Sequence, residues 1–117
     1  MNSSIVSIGL SNPGAPIPQA EIARFMKLAH QLDESDSRKL GFFYRKSGIE
    51  SRYSVLEDFD KPHAEDFTFF PKNEQLFPFP GTKARMEVFQ QTAPQLAATA
   101  SLACLEQVGE NAKSLTH

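Results

Sequence analysis

Between Ser54 and Pro80 the chain loses helical periodicity, and that stretch limits the fold more than any other. Pro71, Pro78 and Pro80 interrupt it. Each proline removes a backbone donor and clashes with the preceding turn, so a long helix is forbidden there. Phe67, Phe69, Phe70, Phe77 and Phe79 crowd the same region. Phenylalanines at that density bury themselves, so the segment is expected to wrap over a surface. A loop this long inside one domain is unusual, and such loops tend to be functional or to belong to a larger assembly. Its first part, Glu57 to Asp66, is acidic. Five carboxylates around His63 hint at a metal, but their spacing matches no ligand template, and a solvated loop is the simpler reading.

The flanks carry regular patterns. Residues 4–10, Ser-Ile-Val-Ser-Ile-Gly-Leu, form an apolar run with β-branched residues and read as a buried strand. Ser11-Asn12-Pro13-Gly14-Ala15-Pro16 is turn chemistry. Ile22, Phe25, Met26, Ala29 and Leu32 recur at three- and four-residue steps, which predicts an amphipathic helix over 18–32 with Pro18 in its first turn. A second helix is expected over about 35–46, opened by the acidic run 33–36, with Leu40 and Phe43 as its seam and Gly48 closing it. A short strand is possible near Ser51–Val55. The longest helix is expected over 82–108, with Thr82 as N-cap, an apolar face through Met86, Phe89, Leu96, Ala100 and Cys104, and a kink or break near Ala93 imposed by Pro94. Another strand is due to start at Ser114-Leu115-Thr116-His117.

A lone strand at 4–10 has unpaired backbone groups and needs sheet neighbours. The expectation is therefore the front part of a larger α/β protein, here a single segment over 1–117. A length of 117 residues fits one domain. Twelve Lys and Arg against fourteen Asp and Glu give a net charge of −2, which argues against a general nucleic-acid binder. No apolar stretch is long enough to span a membrane. The single cysteine forms no internal disulfide, and a reducing cytoplasm is its natural setting. Cys104 lies on an apolar helix face and reads as a small core residue rather than a nucleophile. His30, His63 and His117 are far apart, so no metal site and no catalytic set emerges from spacing.

One stretch reverses the acidic balance. Arg38, Lys39, Arg45 and Lys46 sit on or near the second helix, interleaved with Phe42, Phe43 and Tyr44. Clustered cations are what a phosphate-bearing ligand requires. They are also what a solvated helix face carries, and Arg45 and Lys46 complement the helix dipole at its C-terminal end.

A family resemblance sharpens that choice. The order is a strand, a Ser-Asn-Pro turn, a helix and Lys46-Ser47-Gly48-Ile49-Glu50-Ser51-Arg52-Tyr53. It continues through Phe69-Phe70-Pro71-Lys72-Asn73, Pro80-Gly81-Thr82-Lys83-Ala84-Arg85-Met86 and an Ala-rich helix leading to Ser114-Leu115-Thr116-His117. Over essentially its whole length the chain resembles the N-terminal part of a bacterial type III polyketide synthase, the chalcone-synthase-like branch of the thiolase superfamily. Ketoacyl synthases that use an acyl carrier protein share the Gly-Ile-x-x-Arg piece. The segment from 69 to 86 favours the polyketide synthases.

The resemblance implies an N-terminal piece of a thiolase-like α/β fold, mostly helical with one or two short strands. It implies a homodimeric acyltransferase that loads an acyl group from coenzyme A onto a cysteine and extends it with malonyl-CoA. Coenzyme A thioesters are then substrates, with no permanently bound cofactor. The family's catalytic Cys, His and Asn lie outside these 117 residues, and Cys104 does not match the nucleophile. The piece alone is expected to be inactive. Lys39 and Lys46 match two cationic positions that hold coenzyme A phosphates at the tunnel mouth. A third, often Arg, falls at Phe42, a departure for which Arg38 or Arg45 can compensate. A different class of reading is a non-catalytic interaction module that docks through the Phe-rich loop and the Ala-rich helix.

Overall fold

A buried phenylalanine on the first helix organises the packed half of the molecule. The computed structural model describes residues 4–115. The elements are β1 (Ile17–Pro18), α1 (Gln19–Ala29), α2 (Glu34–Lys46), β2 (Ser51–Arg52) and α3 (Thr82–Gln107), with short 3-10 turns at Glu57–Asp60, Ala64–Asp66 and Ala112–Ser114. This is a small, mostly helical α/β arrangement. β1 and β2 pair antiparallel, Ile17 opposite Arg52 and Pro18 opposite Ser51. No helix among the described residues is long and apolar enough to cross a membrane.

The expected periodicity of the first helix holds. Its inner face carries Phe25, which is 2% exposed, with Met26, Leu28 and Ala29 packed around it. The Phe-rich segment closes over that face. Phe67, Phe70 and Leu76 are buried there, and Phe59 and Phe69 are partly so. Phe25 meets Phe59 edge-on with centroids 4.7 Å apart and Phe70 at 5.0 Å. Such tilted contacts set the ring quadrupoles favourably. The expectation that the phenylalanines bury themselves holds for Phe67 and Phe70. It fails for Phe77 and Phe79, which remain exposed beyond Leu76.

The acidic run is not simply a solvated loop. Asp58 is fully buried, and its carboxylate accepts four hydrogen bonds from Thr68, Phe69 and Phe70. Burial alone pushes its pKa up. The hydrogen bonds to the charged form outweigh that and hold it below the ordinary aspartate value. This carboxylate fixes the turn that delivers Phe67 and Phe70 to Phe25.

Four other expectations are corrected. Residues 4–10 form no strand, and Ile5, Val6, Ile8 and Leu10 are exposed rather than buried. β1 and β2 pair only with each other, so the run has no ladder to join. It lies instead along α3, where Gln107 Nε2 donates to the Ile8 carbonyl at 2.9 Å and Ser7 Oγ sits 3.0 Å from Cys104 Sγ. Pro94 does not break α3, which continues from Thr82 to Gln107. The carbonyl that loses its donor belongs to exposed Gln90, so it is not left orphaned in an apolar interior. The N-cap of α3 is Gly81 rather than Thr82, with no side-chain cap. At the C-terminal end, Ser114 lies in a 3-10 turn capped by Asn111, while Thr116 and His117 lie outside the described residues.

The second half of the molecule is weakly covered. α3 has no buried residue. Its inner stripe of Ala84, Val88, Thr92, Leu96 and Ala100, at four-residue spacing, is half-buried, while Met86, Phe89 and Leu102 face outward. The radius of gyration is 18.8 Å, against about 13 Å for a compact chain of this length. The accessible surface is 9047 Å², where a self-contained monomer of this mass exposes roughly 6,300 Å².

Candidate functional site on the outer face of α2

α2 begins where Asp33 accepts a hydrogen bond from the Asp36 backbone N–H at 2.8 Å, as the acidic opening implies. Glu34 and Asp36 occupy the positive end of the helix dipole, and Arg45 and Lys46 the negative end. The helix does not pack along the expected Leu40–Phe43 seam. Gly41 is the residue it buries, Leu40 and Tyr44 are half-buried, and Phe43 is 68% exposed. A glycine allows close approach of α1. A methyl group at Gly41 would stand 3.2 Å from the Arg45 guanidinium and 3.6 Å from Lys27 Nζ.

That rotation decides which side chains share the outer face. At 100° per residue, Lys39, Phe42, Phe43 and Lys46 fall within one stripe, opposite Gly41 and Tyr44. Lys39 and Lys46 are two turns apart, about 10 Å along the axis. Both sequence-nominated lysines are exposed and lie on the same side. Phe42 and Phe43 sit between them, 6.1 Å apart and nearly edge-to-face.

The four cations of the stretch are not equivalent. Arg38 is paired with Glu34 at 2.8 Å and Lys39 with Asp36 at 2.8 Å, both on the exposed surface. Lys46 makes no ion pair among the described residues. Arg45 turns to the other side. It lines a groove of about 340 Å³ between α1 and α2 with Lys27, Gly41 and Tyr44. Arg45 therefore does not reinforce the Lys39–Lys46 stripe, and Arg38 does so only by leaving Glu34.

The exit of α2 is held by a residue that sequence reasoning missed. Gln19, at the start of α1, is 6% exposed. Its Nε2 reaches Ser47 Oγ at 3.4 Å, its Oε1 accepts from Arg52 Nε at 3.0 Å, and its backbone N–H donates to the Glu50 carbonyl at 2.8 Å. Ser47 Oγ also donates to the Tyr44 carbonyl and accepts from the Ile49 N–H. Gly48 then takes φ +70°, the left-handed conformation that turns the chain out of the helix. Its partners lie 28 and 33 residues away, so no local pattern marks Gln19.

The remaining candidates stay apart. His30 caps α1 through its backbone and is exposed. His63 lines a polar cleft with Arg24 and Lys72, and His117 lies outside the described residues. Among the described residues no group of three His, Cys, Asp or Glu side chains is placed to hold a metal ion. Cys104 is half-buried beneath Ser7, a lid contact rather than a core position. Compared with known proteins, the chain matches no family model, no curated protein and no solved structure.

Proposed function

We propose that this chain is the N-terminal region of a coenzyme A-dependent condensing enzyme of the thiolase-like, type III polyketide synthase kind, and that the outer face of α2 is the rim that receives coenzyme A phosphates. The observation that carries the reading is the pairing of Lys39 and Lys46 on one open helix face, two turns apart. Two ammonium groups at that spacing follow the separated phosphates of one extended ligand, and a rim position keeps them solvated between turnovers. The helix dipole opposes an anion at the C-terminal end with only about half a charge, so two lysines outweigh it.

In this reading the condensing chemistry belongs to a Cys, a His and an Asn that this chain does not contain, and the chain alone does not condense. The large exposed surface supports a place inside a bigger fold, with α3 and residues 4–10 covered by further chain or by a second copy in a homodimer. A cytoplasmic enzyme using acyl-CoA and malonyl-CoA is the corresponding setting.

The test is kinetic, on the complete enzyme. Lys46→Ala raises the Michaelis constant for malonyl-CoA several-fold with kcat nearly unchanged, since an exposed contact is worth no more than about 1 kcal/mol. An unchanged Michaelis constant removes Lys46 from the site. Extension from malonyl-CoA without carrier protein separates this reading from a ketoacyl synthase III-like enzyme.

The exposed Met86, Phe89 and Leu102 of α3 favour a second reading, a non-catalytic docking module. A reading frame that stops directly after His117 supports the module. A frame that continues into a strand and a cysteine supports the enzyme.

A further inference from the structure

The stripe on α2 contains two aromatic rings that packing does not explain. Phe42 is 51% exposed and Phe43 68% exposed, on the helix face turned away from α1. Phe42 stands one turn after Lys39 and one turn before Lys46, so the three positions share one exposed stripe, with the Lys39 ammonium turned back to Asp36 at 2.8 Å. Phe43 meets Phe42 nearly edge-to-face, with an interplanar angle of 71°, which leaves ring surface in solvent. A single cation beside a ring would be ordinary. An exposed ring with a lysine one turn to either side of it on the same helix face complements a ligand that carries a flat π-face beside negative groups.

From this we infer that Phe42 is a stacking platform for the adenine of a nucleotide whose phosphates are held by Lys39 and Lys46. The inference rests on the coenzyme A reading and deepens it by giving the adenine a contact of its own. Coenzyme A has the required parts: an adenine whose ribose carries a 3′-phosphate and a 5′-diphosphate. Purine stacking on an aromatic ring contributes roughly tenfold in affinity. It also tolerates salt, because it does not depend on net charge, whereas exposed phosphate contacts are screened. Phe42 thus supplies by stacking what a third cation at that position supplies by charge.

The test is a binding titration of the 117-residue chain with coenzyme A, and separately with 4′-phosphopantetheine, which lacks the adenosine together with its 3′-phosphate and one phosphate of the diphosphate. Phe42→Ala and Phe42→Leu are each expected to weaken coenzyme A binding about tenfold and to leave 4′-phosphopantetheine unchanged. Phe42→Tyr, which keeps the π-face, is expected to bind as the parent does. Leucine retains apolar bulk, so parent-like binding by Phe42→Leu overturns stacking in favour of simple apolar contact. Lys39→Ala and Lys46→Ala are each expected to weaken coenzyme A and to flatten its salt dependence. If the lysine variants weaken coenzyme A and Phe42→Ala does not, the stacking inference is wrong and the phosphate rim stands. If the parent chain binds neither ligand, or the lysine variants bind as the parent does, the rim reading falls and the inference with it. Phe42 is exposed, so these variants are expected to retain the parent's thermal midpoint, and a lowered midpoint with proportional loss of both ligands also overturns the inference.

Discussion

The carboxylate of Asp58 and the backbone N–H of Phe70 lie 2.7 Å apart in the buried interior, the shortest of four bonds that Asp58 accepts from Thr68, Phe69 and Phe70. One side chain thereby satisfies three consecutive backbone donors. The phenylalanines that form the core are delivered by an anion.

This arrangement sets an acid limit on stability. The folded-state pKa of Asp58 lies below the usual 3.8 because its hydrogen bonds outweigh burial. Its contribution is therefore fully present above that unfolded value and is lost as pH falls from about 4 through the folded value. Asp58→Asn turns an amide NH₂ toward backbone donors and is expected to cost about 3 kcal/mol at neutral pH. Urea melts at pH 7 and near pH 3 check both statements. The parent should lose stability on acidification, and the variant should lose less.

The core is small, so single truncations within it matter greatly. Phe25→Ala is expected to cost about 3–5 kcal/mol, a large share of the roughly 5–15 kcal/mol typical of a domain. Phe77→Ala, at a ring 75% exposed, is expected to change stability by less than about 0.5 kcal/mol. Equal losses in denaturant midpoint would show that Phe77 is covered in solution.

Gly9 approaches α3 so closely that any side chain is excluded. A Cβ there would stand 2.0 Å from the Ala100 carbonyl oxygen and 2.6 Å from the Cys104 nitrogen. Gly9→Ala is expected to lift residues 4–10 from the helix, breaking the Ser7–Cys104 contact and the Gln107 bond to Ile8. Timed alkylation should then modify Cys104 faster than in the parent. An unchanged rate places residues 4–10 off the helix already.

The exposed Asp36 competes with any anion for Lys39, to which it is bound at 2.8 Å. Asp36→Asn is expected to strengthen binding of coenzyme A two- to fivefold at low salt, an effect that fades as salt screens both contacts. No change at low salt would mean that Lys39 does not meet the ligand.

Gln19→Ala removes the side-chain tie between the start of α1 and the exit of α2. Arg52 Nε and Ser47 Oγ, on exposed residues, then exchange that partner for water, at an expected cost of about 1 kcal/mol. Amide exchange across 47–52 should accelerate more than exchange across α1. Uniform acceleration would instead indicate global destabilisation.

The three long helices were legible in the sequence within a few residues, because each rests on local causes. Apolar spacing around Phe25 fixes α1, the Asp33 cap and the closing Gly48 fix α2, and the long run after Gly81 fixes α3. The sequence also showed that 54–80 is not a long helix and folds back on the chain. It placed Lys39 and Lys46 seven residues apart, hence on one face of any helix there. Which face of α2 is covered depends on its packing against α1. The burial of Gly41 against α1 leaves Phe42 and Phe43 in solvent between the lysines and turns Arg45 into the groove. Likewise, the strand-like composition of 4–10 could not reveal that no ladder is there to receive it, and the acidity of 57–66 could not reveal that Asp58 alone turns inward. Helix signals come from neighbours three and four residues away. Sheet pairing, buried hydrogen bonds and helix orientation depend on partners ten to a hundred residues away, and the folded chain alone brings those together.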